Sequence, residues 1–167
     1  MSIGIIGAGG WGTALAVLLC RRHEDVALWC HSEETLARMR ETGENAVYLP
    51  DIKLPDHLQL TCSLEAATSG RELLICVTPS HVLREVMHTA APFVARETIV
   101  VCGSKGIEES TLMTMGDVLA EVLDYPKRYA FLSGPTFALE VARGLPAAIT
   151  VGSHDRDVGQ EVQKSLG

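Results

Sequence analysis

Ile3-Gly4-Ile5-Ile6-Gly7-Ala8-Gly9-Gly10-Trp11-Gly12-Thr13-Ala14-Leu15-Ala16 is the stretch from which the rest of the chain is read. An apolar β-type run, Ile3 to Ile6, meets a glycine loop, and the loop opens straight into a helical pattern. Gly7, Gly9 and Gly12 have the G-x-G-x-x-G spacing of a dinucleotide-binding turn. In that reading Gly7 permits the tight turn out of the strand, and Gly9 lets the backbone approach a pyrophosphate. Gly12 lets the helix pack close to the strand, helped by Ala14 and Ala16. The phosphates then face the unpaired N–H groups and positive dipole end of the helix. A rival reading treats the stretch as a leader or membrane segment, because Ile3 to Cys20 is uncharged. No Lys or Arg precedes the run, and five glycines between Gly4 and Gly12 make a poor apolar helix, so the dinucleotide reading stands.

The chain has 167 residues, which suits one domain, and a chain of this size buries about 70% of its unfolded surface. A net charge of −7, with no basic cluster along the chain, argues against a general nucleic-acid surface. A phosphorylated ligand therefore needs local positive groups working against that background. The cysteines, Cys20, Cys30, Cys62, Cys76 and Cys102, are odd in number, lack C-x-x-C spacing and lie mostly in apolar runs. They read as reduced thiols of a cytoplasmic protein. The six histidines lack ligand spacing, so no metal site is expected.

Strands are expected at Ile3–Ile6, Val26–Cys30, Leu58–Cys62, Glu72–Val77, Thr98–Cys102, Tyr129–Leu132 and Ala147–Val151. Helices are expected over Gly10–Arg22, from Ser32 (as N-cap) to Arg40, from Ser63 to near Gly70, and around Val82, Val86 and Met87. A second helical piece is expected over Thr89–Ala95. Further helices are expected over Leu112–Leu123, after Ser133-Gly134-Pro135-Thr136 to Arg143, and after Asp155 with Val158, Val162 and Leu166 inward. Glu44 to His57, with Pro50 and Pro55, reads as an irregular loop. Near-continuous apolar strands alternating with helices mean an α/β, doubly wound, mostly parallel Rossmann-type sheet with helices on both faces.

Ligands of such sheets bind beyond the carboxyl ends of the strands. That rule selects Gly9-Gly10-Trp11, His31-Ser32, Thr78-Pro79-Ser80, Gly103-Ser104-Lys105 and Gly134-Pro135-Thr136. The second strand ends in Cys30-His31-Ser32, where an NAD-specific site usually carries an acid for the ribose 2′-hydroxyl. His31 and Ser32 can instead accept a 2′-phosphate, which favours NADP(H) over NAD(H); Ser32 as a plain cap and His31 as a solvated residue is the other reading. Lys105 either holds a phosphate or carbonyl oxygen or is an ordinary surface lysine. Thr136 either donates to a substrate oxygen or caps its helix. Trp11 lies over the cofactor or packs on a neighbouring loop, Tyr48 closes over the nucleotide or anchors its own loop, and Trp29 reads as core.

Five segments together resemble one family, the bacterial-type NAD(P)-dependent glycerol-3-phosphate dehydrogenases. They are Gly7 to Ala16, Asn45-Ala46-Val47-Tyr48-Leu49-Pro50, Val77-Thr78-Pro79-Ser80, Ser104-Lys105-Gly106-Ile107-Glu108, and Leu132 to Ala142. The resemblance implies reversible hydride transfer between NAD(P)H and dihydroxyacetone phosphate, giving sn-glycerol 3-phosphate for phospholipid synthesis. It further implies nucleotide contacts at Gly10, Trp11, His31, Tyr48 and Ala138, contacts from Lys105 to both cofactor and substrate, and substrate contacts at Gly134 and Thr136. The family often has Ser where this chain has Gly10, so that contact is expected from backbone alone.

Family members continue into a helical C-terminal domain that carries the proton-acceptor lysine. The resemblance places that lysine beyond Gly167, and Lys164 does not correspond to it. Residues 1–167 are thus expected to form the cofactor domain alone, with no catalytic residue of their own and little or no turnover. An apolar face left open by the second domain offers a route to a homodimer. Two alternatives stay open: a stand-alone nucleotide-sensing module, and the cofactor half of another hydroxyacid dehydrogenase.

Overall fold

A computed structural model describes residues 1–124 and 128–167. The first unit is β1 (Ser2–Ile6), α1 (Gly10–Leu19), β2 (Asp25–Trp29) and α2 (Glu33–Thr42). A short hairpin follows, β3 (Glu44–Asn45) and β4 (Leu49–Lys53), then β5 (Gln59–Thr61), α3 (Leu64–Thr68) and β6 (Leu73–Cys76). The remainder is α4 (Ser80–Ala90), β7 (Ile99–Cys102), α5 (Met115–Leu123), β8 (Tyr129–Ser133), α6 (Ala138–Arg143), β9 (Thr150–Gly152) and α7 (Arg156–Leu166). A single 3₁₀ turn, Ala91–Phe93, follows α4.

Seven strands form one sheet in the order β5-β2-β1-β6-β7-β8-β9, parallel except for the antiparallel edge strand β9. The period-2 alternation of each central strand feeds two cores. Ile3, Ile5, Leu28, Ile75 and Val101 pack under α1, α2, α6 and α7. Ile6, Leu74, Cys76, Val100 and Cys102 pack under α3, α4 and α5. Each fully buried Leu or Ile contributes about 1.5–3 kcal/mol of burial, so the sheet and its two layers stabilise one another. The doubly wound architecture expected from the sequence is therefore observed. Among the described residues no helix is long and apolar enough to cross a membrane.

Several boundaries differ from the sequence expectation, each for a local reason. Helix α1 stops at Leu19 rather than Arg22, and Arg21 turns away so that its Nη2 donates to the Ala142 carbonyl at 2.7 Å, tying α1 to α6. The stretch expected to be irregular holds the β3–β4 hairpin. Helix α5 starts at Met115 rather than Leu112, because Thr114 and Asp117 form a reciprocal capping box. In place of a separate helix over Thr89–Ala95, α4 runs on to Ala90 before the 3₁₀ turn. The last strand begins only at Thr150, and residues 144–148 are exposed coil.

The order of strands reverses between β1 and β6, whose carboxyl ends open onto a common crevice. That switch point positions the candidate site.

Candidate functional site

The crevice is a cleft of about 950 Å³, large enough for a dinucleotide. Its floor is the glycine turn. Gly7 has φ 120°, a conformation that favours glycine, and brings the turn to within contact of Val77 and Thr78. A side chain on Gly12 would run into the Gly7 carbonyl oxygen, so α1 lies hard against the strand end as the spacing implied. At Gly9 an added Cβ would meet nothing within 4 Å, leaving open space at the start of α1. Helix α1 has no side-chain cap, so its first N–H groups are free to face a ligand. An open cradle beside uncapped amides fits the pyrophosphate of a dinucleotide.

All twelve residues expected to touch cofactor or substrate line this one cleft: Gly7, Gly9, Gly10, Trp11, Gly12, His31, Ser32, Tyr48, Lys105, Gly134, Thr136 and Ala138. At one end, Ser32 caps α2 by accepting from the Thr35 N–H at 3.2 Å, and its own hydrogen remains available to a ligand. The His31 ring stands edge-on to Trp29, with centroids 5.8 Å apart. Trp29 is buried as expected, but it also lines the cleft, and its Nε1 donates to the Cys62 carbonyl at 3.0 Å. Neither Glu33 nor Glu34 lines the cleft; among the described residues the one carboxylate that does is Glu85 of α4. Glu33 is held instead beside Cys62, whose thiol is pushed up to about 11 by burial and then by that carboxylate.

Tyr48 is 57% exposed on the rim, in the loop of the β3–β4 hairpin. That loop lies so close to the glycine turn that a side chain on Gly10 would come within 2.8 Å of the Tyr48 carbonyl oxygen. The tie between them is Asn45, buried on α1, whose Nδ2 donates to the Ala8 carbonyl at 2.9 Å and to Thr13 Oγ1 at 2.8 Å. Trp11 lines the cleft and packs against the core beneath it.

At the other end, Lys105 is exposed and is the one Lys or Arg lining the cleft among the described residues. Its loop is pinned on both sides. The Gly103 N–H donates to the Cys76 carbonyl at 2.8 Å, and Arg84 of α4 forks onto Glu108. Thr136 is half-buried and does not cap a helix: Phe137 is the N-cap of α6, with no side-chain bond. Cap and substrate contact were the two readings of Thr136, and the first is removed. Sequence reasoning missed Thr35, which faces the cleft from the first turn of α2; its spacing three residues after Ser32 was the available signal.

Gly167 takes no part in the cleft. It is the C-cap of α7, and its N–H donates to the Gln163 carbonyl at 3.0 Å. Lys164 lies in the last turn of the same helix and is likewise absent from the cleft lining. Among the described residues no group of three or more His, Cys, Asp or Glu is arranged to hold a metal.

Comparison with known proteins identifies the family. Residues 2–159 match the family model described as the N-terminus of NAD-dependent glycerol-3-phosphate dehydrogenase. The chain belongs to this family. It is 46% identical over 166 residues to a glycerol-3-phosphate dehydrogenase [NAD(P)+] of Syntrophotalea carbinolica, covering 98% of this chain and 50% of that protein. A second protein of the same description, from a Geobacter species, is 43% identical over 167 residues, with 98% and 50% covered. Among solved structures, a glycerol-3-phosphate dehydrogenase of Coxiella burnetii superposes with a TM-score of 0.90 at 32% identity, over 99% of this chain and 50% of that one. The chain therefore spans about half the length of the curated relatives it matches, and within the family it corresponds to the N-terminal, NAD-binding half.

Proposed function

We propose that residues 1–167 form the cofactor domain of an NAD(P)-dependent glycerol-3-phosphate dehydrogenase. The observation that carries the reading is the convergence of glycine turn, non-acidic second-strand end and unpaired lysine on one cleft. Gly7, Gly9, Gly10 and Gly12 at the uncapped start of α1 would hold the diphosphate, with Trp11, Tyr48 and Ala138 lining the same cleft. His31 and Ser32 would receive the adenosine ribose and its 2′-phosphate, which makes NADP(H) the preferred form, and Glu33 does not line the cleft there. When bound, the nicotinamide supplies or takes the hydride.

Lys105, Gly134 and Thr136 lie on the part of the cleft remote from His31 and hold the phosphorylated three-carbon substrate, dihydroxyacetone phosphate or sn-glycerol 3-phosphate. An ammonium and a hydroxyl are the donors such an oxygen-rich anion requires. On this reading residues 1–167 supply cofactor and substrate contacts, and no proton acceptor is assigned among them. The physiological role is glycerophospholipid synthesis in the cytoplasm, a compartment that five free cysteines suit. The negative net charge does not suit nucleic acid. Phe137 lines the cleft and is exposed, as are Leu139 of α6 and Leu145 just after it, and a second copy pairs through these apolar side chains when nothing else covers them.

Titrating the chain with NADPH and NADH, followed by calorimetry, tests the reading. Saturable one-to-one binding with NADPH tighter is expected. Failure to bind either nucleotide overturns it. The substrate assignment is tested by assaying a full-length relative that contains these residues with dihydroxyacetone phosphate against other ketones.

A further inference from the structure

Thr78 follows β6 closely, at the carboxyl end of the sheet, and forms part of the cleft wall. It is only 5% exposed, yet its hydroxyl oxygen is buried with no hydrogen-bond partner. The other buried serine and threonine hydroxyls among the described residues are all engaged. Thr13 accepts from Asn45, Thr68 donates to Leu64, Thr98 donates to Arg71 and Ser165 donates to Glu161. None of those four lines the cleft, and the one that does is the one left alone. A buried hydroxyl without a partner costs free energy, so its retention in a cleft wall calls for a ligand that completes it.

Two neighbours say which part of a ligand that is. The Thr78 amide nitrogen lies 3.2 Å from where a side chain on Gly7 would begin, so Thr78 adjoins the glycine turn, and β1 separates its strand from β2, which leads to His31. It also sits just before α4, whose N-cap, Pro79, offers no side-chain bond to the first N–H groups of the helix. Uncapped amides and an unheld hydroxyl side by side suit an oxygen-rich, anionic segment. A threonine hydroxyl moves between staggered rotamers, so it can turn to a ligand as the ligand arrives.

We infer that Thr78 is a cofactor-binding residue, its hydroxyl donating to an oxygen of the diphosphate–ribose segment of the dinucleotide. The inference rests on the nucleotide reading above and adds a contact to it. Without ligand the hydroxyl is a liability, and with ligand it is satisfied, so the residue trades stability of the free protein for affinity.

That trade has two opposite signatures in Thr78→Val, which keeps the shape and removes the hydroxyl. Affinity for NADPH falls about fivefold to tenfold, the loss of one ordinary hydrogen bond. The loss is equal for NADH, because the diphosphate–ribose segment is common to both nucleotides. Meanwhile the ligand-free melting temperature rises by roughly 2–4 °C, as an unsatisfied buried group becomes a methyl. Thr78→Ser, which keeps the hydroxyl, retains wild-type affinity. Unchanged affinity in Thr78→Val, an unequal loss for the two nucleotides, or a lowered melting temperature each overturns the inference while leaving nucleotide binding standing. Absence of binding by the unaltered chain overturns both.

Discussion

Arg84 of α4 grips Glu108 at two points, Nε to Oε1 and Nη2 to Oε2, both at 2.9 Å. The same carboxylate accepts from the Thr111 hydroxyl, and Arg84 also reaches Glu121 of α5. The Lys105 loop is thereby bolted to the two helices beneath it. The guanidinium first, and then the Thr111 hydroxyl, holds the Glu108 carboxyl down to about 2. A carboxyl depressed on folding contributes stability that is present above its unfolded pKa and lost as pH falls through its folded one. The contribution is therefore complete above about pH 4.5 and disappears toward pH 2. Glu108→Gln is expected to lower the urea midpoint at pH 7 and to flatten its decline between those values. Parallel acid limbs for variant and wild type would contradict the role given to the pair.

Asn45 is the polar residue that joins the hairpin to the glycine turn, and both of its donor bonds are buried. Asn45→Ala leaves the Ala8 carbonyl without this donor. We expect a loss of about 1–3 kcal/mol in urea unfolding. Because the hairpin carries Tyr48, NADPH affinity should fall as well. A variant that loses stability but keeps full affinity would place Tyr48 outside the nucleotide site.

His31→Glu puts a carboxylate where the 2′-phosphate is proposed to lie. NADPH affinity is expected to fall about tenfold or more, with NADH changed far less. Calorimetric titration with both nucleotides reads the difference, and equal losses would end the case for an NADP(H) preference.

Lys105 is exposed and takes part in none of the ion pairs of the described residues. Lys105→Ala should leave the urea midpoint within about 0.5 kcal/mol of wild type, as for an ordinary surface position. NADPH affinity should drop about tenfold through loss of a charged donor. Intact affinity would return Lys105 to the status of a solvated lysine.

Of the five thiols, four are buried and Cys62 alone is partly accessible. Its pKa of about 11 keeps it largely protonated at neutral pH. A chromogenic disulfide reagent should titrate one thiol slowly in the native chain, faster as pH rises, and five after unfolding. Rapid reaction of two or more native thiols would show that at least one of the buried sites at Cys20, Cys30, Cys76 and Cys102 opens easily.

The cleft was legible because its parts are local. Gly7, Gly9 and Gly12 fix a turn by sterics, and Ser32 and Asp155 announce helix starts by side chains that reach their own backbone. The hairpin was not, because its strands hold two and five residues around a proline, and its stability comes from Asn45 reaching across to α1. The start of α6 was obscured for a related reason. Thr136 has the side chain of a cap, but the chain stays extended through Phe137, which caps nothing. Thr78 was visible as a residue and invisible as an anomaly, since only the fold reveals that its hydroxyl has been left without company.

Ser165 near the end of α7 touches Met1 through its hydroxyl, and its carbonyl meets His23 Nε2 at 3.1 Å. The first residue and the last helix thus meet at the amino ends of the parallel strands, on the side of the sheet away from the glycine turn. A tether at either end would hold the molecule by its back and present the cleft to solution. A short peptide joining Gly167 to Met1 should likewise bridge the two ends on the side away from the cleft.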